Sequence, residues 1–138
     1  MITIEDIADK VVTELLEGEG ITLAVLRDQM KTARLQYERT ETGFFANFIC
    51  APDVPLLPNN PDFELDDANG SLNKEKVPIG FTLFIRSGKL DFLEGYTFGE
   101  AVLPERIDNF ELKLAKDMKR DKQTIETQES SVQAKNEE

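Results

Sequence analysis

Three glutamates and a tyrosine crowd one stretch late in the chain: Glu94, Tyr96, Glu100 and Glu105. Two neighbouring carboxylates can divide the roles of general acid and general base when burial raises the pKa of one of them. The same spacing also occurs in acidic proteins whose carboxylates only bind water or make structural hydrogen bonds. A carboxylate-dependent enzyme using Glu94 or Glu100 is therefore one hypothesis, and surface or structural carboxylates are the simpler one.

Glu94 differs from the other glutamates in its surroundings. It lies between Leu93 and Gly95 in an otherwise apolar run, so we expect it to be partly buried. A buried carboxylate is stable only when it is paired, and Arg86 across a hairpin is the expected partner. The candidate surface or pocket residues are therefore Glu94, Tyr96, Glu100 and Arg86.

Several other chemistries are excluded by residue type. The chain has no histidine and one cysteine, Cys50, which rules out Ser–His–Asp and Cys–His nucleophiles and His-ligated zinc. We expect Cys50, in an apolar run, to pack as a small hydrophobic side chain. The run Asp66–Gly70 resembles part of a calcium-binding EF-hand loop, but such a loop requires acidic residues at positions 65 and 76, where this chain has Leu65 and Lys76. We therefore predict a turn at 66–70 and no calcium site. No glycine pattern matches a P-loop or a dinucleotide fingerprint, and we expect no cofactor and no metal.

The charge of the chain bears on its partners. Its 138 residues include 27 Asp and Glu against 16 Lys and Arg, a formal net charge of −11, and residues 1–115 carry nearly all of the excess. Such a surface repels phosphate backbones and anionic lipid heads, so we predict no nucleic-acid and no membrane binding. A basic protein is the macromolecular partner that this charge favours. The alternative is that the acidity only keeps the protein soluble.

The compartment is predicted from three features. One cysteine allows no internal disulfide, which is typical of a reducing cytosol. The N-terminus lacks the basic and apolar regions of a signal peptide. No apolar run approaches the ~20 residues that span a bilayer. We therefore predict a cytoplasmic protein.

The N-terminal part of the chain shows helical spacing. Thr3 is a good N-cap, and Asp6 completes a capping box with Asp in place of Glu. Apolar residues then recur at helical spacing until Gly18, and a second, shorter helix is predicted at about 22–31. From Ala33 the apolar period becomes alternating, which is typical of strands.

The remaining pattern predicts hairpins around one long loop. Residues 33–40 and 44–50 flank a turn, and residues 51–62 hold four prolines, which predict a stiff loop of the kind that often carries function. After a short strand at 63–66, residues 81–86 and 90–98 form the clearest hairpin. A last strand is predicted at 107–114.

Alternation also predicts the core of that hairpin. We expect the inward side chains to be Phe81, Leu83 and Ile85, joined by Leu90 and Phe92 from the partner strand. Gly95, inside the return strand, indicates a bulge or a close backbone approach.

These elements predict an α+β fold: an N-terminal helix or helix pair packed on an antiparallel sheet of about five strands. We expect residues 1–115 to form a single domain. Residues 116–138 are dominated by charged and polar side chains, and such a segment cannot bury enough apolar surface to offset the entropy of ordering it. It is predicted to be a disordered tail.

Two runs carry a resemblance to a known group of proteins. GFFANF at 43–48 precedes the Pro-rich loop, and GFTLFIRSGKLDFLEGYTFGE occupies 80–100. Together they resemble a group of small bacterial proteins of unknown function, in which the second run is usually followed by Trp-Pro; here Leu103-Pro104 replaces that pair. The resemblance spans roughly residues 30–114 and implies no activity and no catalytic residues.

The function that these observations favour is non-enzymatic. We expect a protein-interaction or immunity-type protein with an acidic surface, because the immunity proteins that neutralise toxins include small acidic proteins of similar architecture. In this hypothesis the Pro-rich loop and the acidic surface supply the interface. A small-ligand-binding or regulatory module is one alternative, and the carboxylate-dependent enzyme described above is the other.

Overall fold

A computed structural model describes residues 1–114 of the chain. The tail predicted for residues 116–138 lies outside the described residues. Two helices open the chain, α1 at Ile4–Leu15 and α2 at Ile21–Thr32. No helix within residues 1–114 is both long and apolar enough to cross a membrane.

The predicted capping box at the start of α1 is present. The Asp6 backbone N–H donates to the Thr3 hydroxyl at 3.1 Å, and the Thr3 N–H donates to the Asp6 carboxylate at 3.0 Å. At the other end of α1, the Arg27 guanidinium of α2 donates to the carbonyls of Leu16 and Gly18. Both ends of α1 are thus closed by side chains that satisfy backbone groups left without intrahelical partners.

Six strands follow the helices: β1 at Arg34–Thr40, β2 at Gly43–Ile49, β3 at Phe63–Leu72, β4 at Val77–Arg86, β5 at Lys89–Thr97 and β6 at Phe110–Leu114. They form one sheet in the order β1-β2-β5-β4-β3-β6, with every neighbouring pair antiparallel. The predicted α+β fold is confirmed, and residues 1–114 form two helices and six strands where about five strands are predicted.

The helices pack on one face of the sheet, which we call the inner face. Helix α1 contacts β2, β3 and β6, and α2 contacts β5. The side chains of Phe81, Leu83 and Ile85 are fully buried in the core between the layers, as the alternation predicts. The opposite face, which we call the outer face, carries neither helix.

A glycine in β5 allows the inner face to pack closely. Gly95 is paired with Phe44 on one side and with Phe81 on the other. A Cβ at Gly95 would come within 2.4 Å of the Phe44 ring, so the ring occupies the space that a side chain would need. The sequence predicts a bulge or a close backbone approach at Gly95; the structure shows regular pairing there and the close approach of a side-chain ring.

A bulge in β3 changes the interpretation of the acidic run at 66–70. Leu65 and Ala68 are both buried although they are three residues apart, because β3 carries one extra residue opposite β4 between them. The turn predicted for 66–70 is therefore wrong, and these residues belong to β3. Polar residues at a bulge resemble a turn in sequence because both interrupt the apolar alternation.

A second bulge lies in β5. Leu90 is paired with Ile85 and Phe92 with Phe84, so Asp91 is an extra residue between the two pairs. Leu90 is buried in the core as predicted, but the expectation for Phe92 is wrong. The bulge turns Phe92 to the outer face beside Phe84.

The Pro-rich loop at 51–62 packs around the β4–β5 turn. The fully buried Gln29 of α2 donates from Nε2 to the carbonyls of Pro55 and Gly88 at 2.8 and 3.0 Å, and its Oε1 accepts from the Leu90 N–H at 2.9 Å. The Leu57 N–H also donates to the Gly88 carbonyl. One side chain therefore joins helix, loop and hairpin.

The segment between β5 and β6 crosses on the inner side. Leu103 and Ile107 belong to the core, and the Leu103 N–H donates to the carbonyl of Glu41 in the β1–β2 turn. Arg39 donates to the carbonyls of Leu103 and Pro104. The helices and this crossing segment thus share the inner face.

Candidate functional site

Aromatic side chains cluster on the outer face of the sheet. Phe45, Phe84 and Phe92 alternate with buried core residues on β2, β4 and β5, are half-buried, and are not part of the core cluster. The Phe84 and Phe92 rings stack with centroids 4.4 Å apart and planes at 22°, and the Phe45 ring meets Phe92 edge-on at 6.0 Å. We call these three residues the outer aromatic cluster.

A second aromatic pair extends this surface along the strands. Tyr96 and Phe98 meet edge-on with ring centroids 5.5 Å apart. They lie over Gly80, where a Cβ would come within 2.7 Å of the Tyr96 ring and 2.9 Å of Phe98. The Phe98 side chain remains 47% exposed. Gly80 therefore leaves room for two rings on the outer face.

The outer aromatic cluster is bordered by carboxylates. Cross-strand pairing places Glu38 of β1 and Glu94 of β5 on either side of Phe45, and Glu64 of β3 opposite Phe84. Directly opposed residues have Cβ atoms about 4.5–5.5 Å apart. Each carboxylate is thus next to an aromatic ring, which is the arrangement that attracts cationic groups.

A cationic side chain of the protein itself, Arg86, contacts the outer aromatic cluster. The guanidinium carbon of Arg86 lies 5.2 Å from the centroid of the Phe84 ring. This distance is within the ~6 Å over which a ring face attracts a cation. The cluster can therefore bind a guanidinium at its Phe84 end.

The structure places Glu94 and Tyr96 together on the outer face, and Arg86 at the other end of the same face. Glu94 and Tyr96 are both half-buried there. Arg86 lies at the end of β4, while Glu100 follows the end of β5 and is exposed. The four candidates therefore do not converge on one pocket.

The predicted pairing of Glu94 with Arg86 is wrong. In the β4–β5 register Glu94 is opposite Thr82, whereas Arg86 is opposite Lys89. Arg86 is four positions from Thr82 along β4, which is about 13 Å at the usual rise of a strand. The sequence places both residues in the hairpin, but only the register fixes which of them meet.

Burial affects the ionisation of two side chains near the sheet. Burial raises the pKa of Tyr37, and the nearby Glu5 and Asp9 carboxylates raise it further. Burial also raises the pKa of the Cys50 thiol, whose Sγ is 3.7 Å from the Leu90 carbonyl. A thiol with a raised pKa is a poor nucleophile at neutral pH because little thiolate is present.

Two surface depressions lie near the β3–β4 turn, with volumes of about 340 and 440 Å³. The first is lined by residues of β3 and β6 and by Lys76, which forms an ion pair with Glu111 at 2.6 Å. The second includes Asn73 and Arg106. None of the predicted site residues lines either depression. Within residues 1–114 no group of three or more His, Cys, Asp or Glu side chains is placed to hold a metal ion.

The signal for the outer aromatic cluster is present in the sequence. Phe84 occupies a polar position in the β4 alternation, between the buried Leu83 and Ile85. Phe45 occupies the equivalent position in β2. Two phenylalanines facing away from the core mark a second apolar surface, but Phe92 joins them only because of the β5 bulge.

Comparisons of this chain with protein-family models, with curated proteins and with solved structures find no match. The resemblance to small bacterial proteins of unknown function therefore stays a prediction. Function has to be argued from the geometry of the outer face.

Proposed function

We propose that the protein is a non-enzymatic protein-interaction protein that binds a basic partner through the outer face of its sheet. The observation that carries this proposal is the outer aromatic cluster, which is separate from the core and lies on the face without helices. Half-buried aromatic side chains gathered on one face are typical of interaction surfaces, where they supply most of the binding energy.

Charge supports a basic partner. The cluster is bordered by Glu38, Glu64 and Glu94, and the whole chain carries a net charge of −11. Complementary charge speeds the encounter of two proteins and disfavours wrong partners. The same charge disfavours nucleic acids and anionic membranes as partners.

The arrangement of the candidate carboxylates gives less support to an enzyme. Glu94 is in the middle of β5, and Glu100 lies in the exposed segment that follows it. A pair that shares acid and base roles needs both carboxylates at one substrate. The outer face around Glu94 is bordered by rings, which suits contact with a macromolecule better than a closed reaction site.

Site-specific photo-cross-linking in the native host tests the proposal. A photoreactive phenylalanine analogue replaces Gln36, which is exposed on the outer side of β1, or in a matched variant Lys10, which is exposed on α1. We expect a discrete adduct with a basic protein from position 36 and none from position 10. No adduct from position 36, or equal adducts from both positions, would contradict the assignment of the outer face.

A further inference from the structure

The strongest unassigned feature of the outer face is one row of three side chains. Glu38, Phe45 and Glu94 are in register across the neighbouring strands β1, β2 and β5. Strands are ~4.8 Å apart, so the two glutamates flank the Phe45 ring with their backbones about 10 Å apart. The register therefore places one carboxylate on each side of the half-buried Phe45 side chain.

Among residues 1–114, neither carboxylate of this row takes part in one of the ion pairs that the structure shows. Lys31, Lys76 and Arg106 form ion pairs with other carboxylates, those of Asp28, Glu111 and Asp108. Glu38 is exposed and Glu94 is half-buried. Both are therefore accessible to a cation from outside.

The other end of the outer aromatic cluster shows the same interaction in place. There the Arg86 guanidinium lies over the Phe84 ring, with Glu64 directly opposite Phe84 on β3. Ring, carboxylate and guanidinium thus occur together at Phe84. At Phe45 the ring and two carboxylates are present, and within the described part of the chain the cation–ring contact is made at Phe84 and not at Phe45.

We propose that Phe45, Glu38 and Glu94 form a seat for an arginine side chain of the basic partner. The inference rests on the proposed function and deepens it by naming the group that is recognised. A guanidinium suits the seat because it is planar, stacks on an aromatic face, and can donate to carboxylates on both sides.

Titration with model peptides tests the seat. The probe is a short acetylated peptide of alternating glycine and arginine, and its control contains citrulline, which is the same shape without the charge. Binding is measured by calorimetry and by chemical shifts of the Phe45 ring. We expect the arginine peptide to bind and to shift the Phe45 resonances, and the citrulline peptide to bind at least tenfold more weakly.

Variants of the seat separate this interaction from general charge attraction. Phe45→Leu keeps the apolar bulk but removes the ring, and it should weaken binding about threefold to thirtyfold. Glu38→Gln and Glu94→Gln should each weaken it about twofold to fivefold. Glu105→Gln removes the same charge from an exposed position outside the row, and it should change the affinity less than twofold. Amide spectra of each variant confirm that it is folded.

Three results would overturn the seat: equal binding of the citrulline peptide, an unchanged affinity of Phe45→Leu, or a loss in Glu105→Gln as large as in Glu94→Gln. If any of these occurs while position 36 still cross-links to a partner, the outer face remains the interface and recognises other chemistry. If the cross-link is also missing, the proposed function fails with the seat.

Discussion

Replacing Gln29 with leucine should destabilise the fold more than any other change of a polar side chain to an apolar one of similar size. Gln29 is fully buried and makes three hydrogen bonds, to Pro55, Gly88 and Leu90. Leucine fills a similar volume but bonds to none of these backbone groups. The Gly88 carbonyl keeps its bond from the Leu57 N–H, so two backbone groups lose the partner that Gln29 provides.

Each buried polar group left without a partner costs about 1–3 kcal/mol. We therefore expect Gln29→Leu to lower the free energy of unfolding by about 2–6 kcal/mol and the melting temperature by roughly 10 °C or more. Urea denaturation followed by circular dichroism measures the first quantity. Gln36→Leu, at an exposed position of β1, is the matched control and should cost less than about 0.5 kcal/mol. A loss below about 1 kcal/mol in Gln29→Leu would refute the role given to this side chain.

Two further predictions concern the core and the helix cap. Phe81→Ala should lower the free energy of unfolding, measured by chemical denaturation, by about 3–5 kcal/mol because the ring is fully buried. Phe92→Ala, on the outer face, should lower it by less than half as much. Equal losses of stability in the two variants would contradict the bulge in β5. Thr3→Ala should raise the pKa of Asp6, because hydrogen bonds from the Thr3 backbone and hydroxyl hold that pKa below its usual value. The Asp6 pKa is lower in the folded than in the unfolded protein, so the ionised carboxylate stabilises the fold at neutral pH. This stabilisation is lost as the pH falls through the folded-state pKa. A titration by NMR in which the Asp6 pKa is the same in Thr3→Ala as in the unmodified protein would show that the Thr3 hydroxyl does not contribute and that the backbone N–H, which alanine keeps, is sufficient.

Much of the fold follows from local signals in the sequence. Thr3 and Asp6 mark the start of α1 through a capping box, and the apolar spacing after them defines the buried side of the helix. The alternation through Phe81, Leu83 and Ile85 predicts which side of β4 faces the core. These signals act between residues close in the chain, so no knowledge of the tertiary structure is needed to find them.

The errors arise where one extra residue changes the face of a strand. Leu90 and Phe92 are two positions apart in β5, so in a regular strand both would point to the same face. Only Leu90 is in the core because the bulge at Asp91 lies between them. In β3, the bulge between Leu65 and Ala68 makes a strand resemble a turn. A bulge is defined by the pairing of two strands, so the sequence of one strand does not reveal it.

The outer face could be predicted only in part for the same reason. Glu94 and Tyr96 are notable in the sequence, but their neighbours across the sheet depend on register. Phe45 and Glu38 become part of the same row as Glu94 only when β2 pairs with β5, which are separated by β3 and β4 in the chain. That pairing is a long-range contact, and the apolar alternation of each strand is compatible with several partners.

The most direct test of the outer face as the interface uses the phenylalanine rings as internal probes. The protein is labelled with ¹³C in its phenylalanine rings, and its spectrum is recorded with and without the partner that cross-links at position 36. We expect the resonances of Phe45, Phe84 and Phe92 to shift or broaden, while those of Phe44 and Phe81, buried beneath the helices, stay unchanged. Unchanged resonances of all three outer rings on saturation with the partner would contradict the claim that this face is the binding surface.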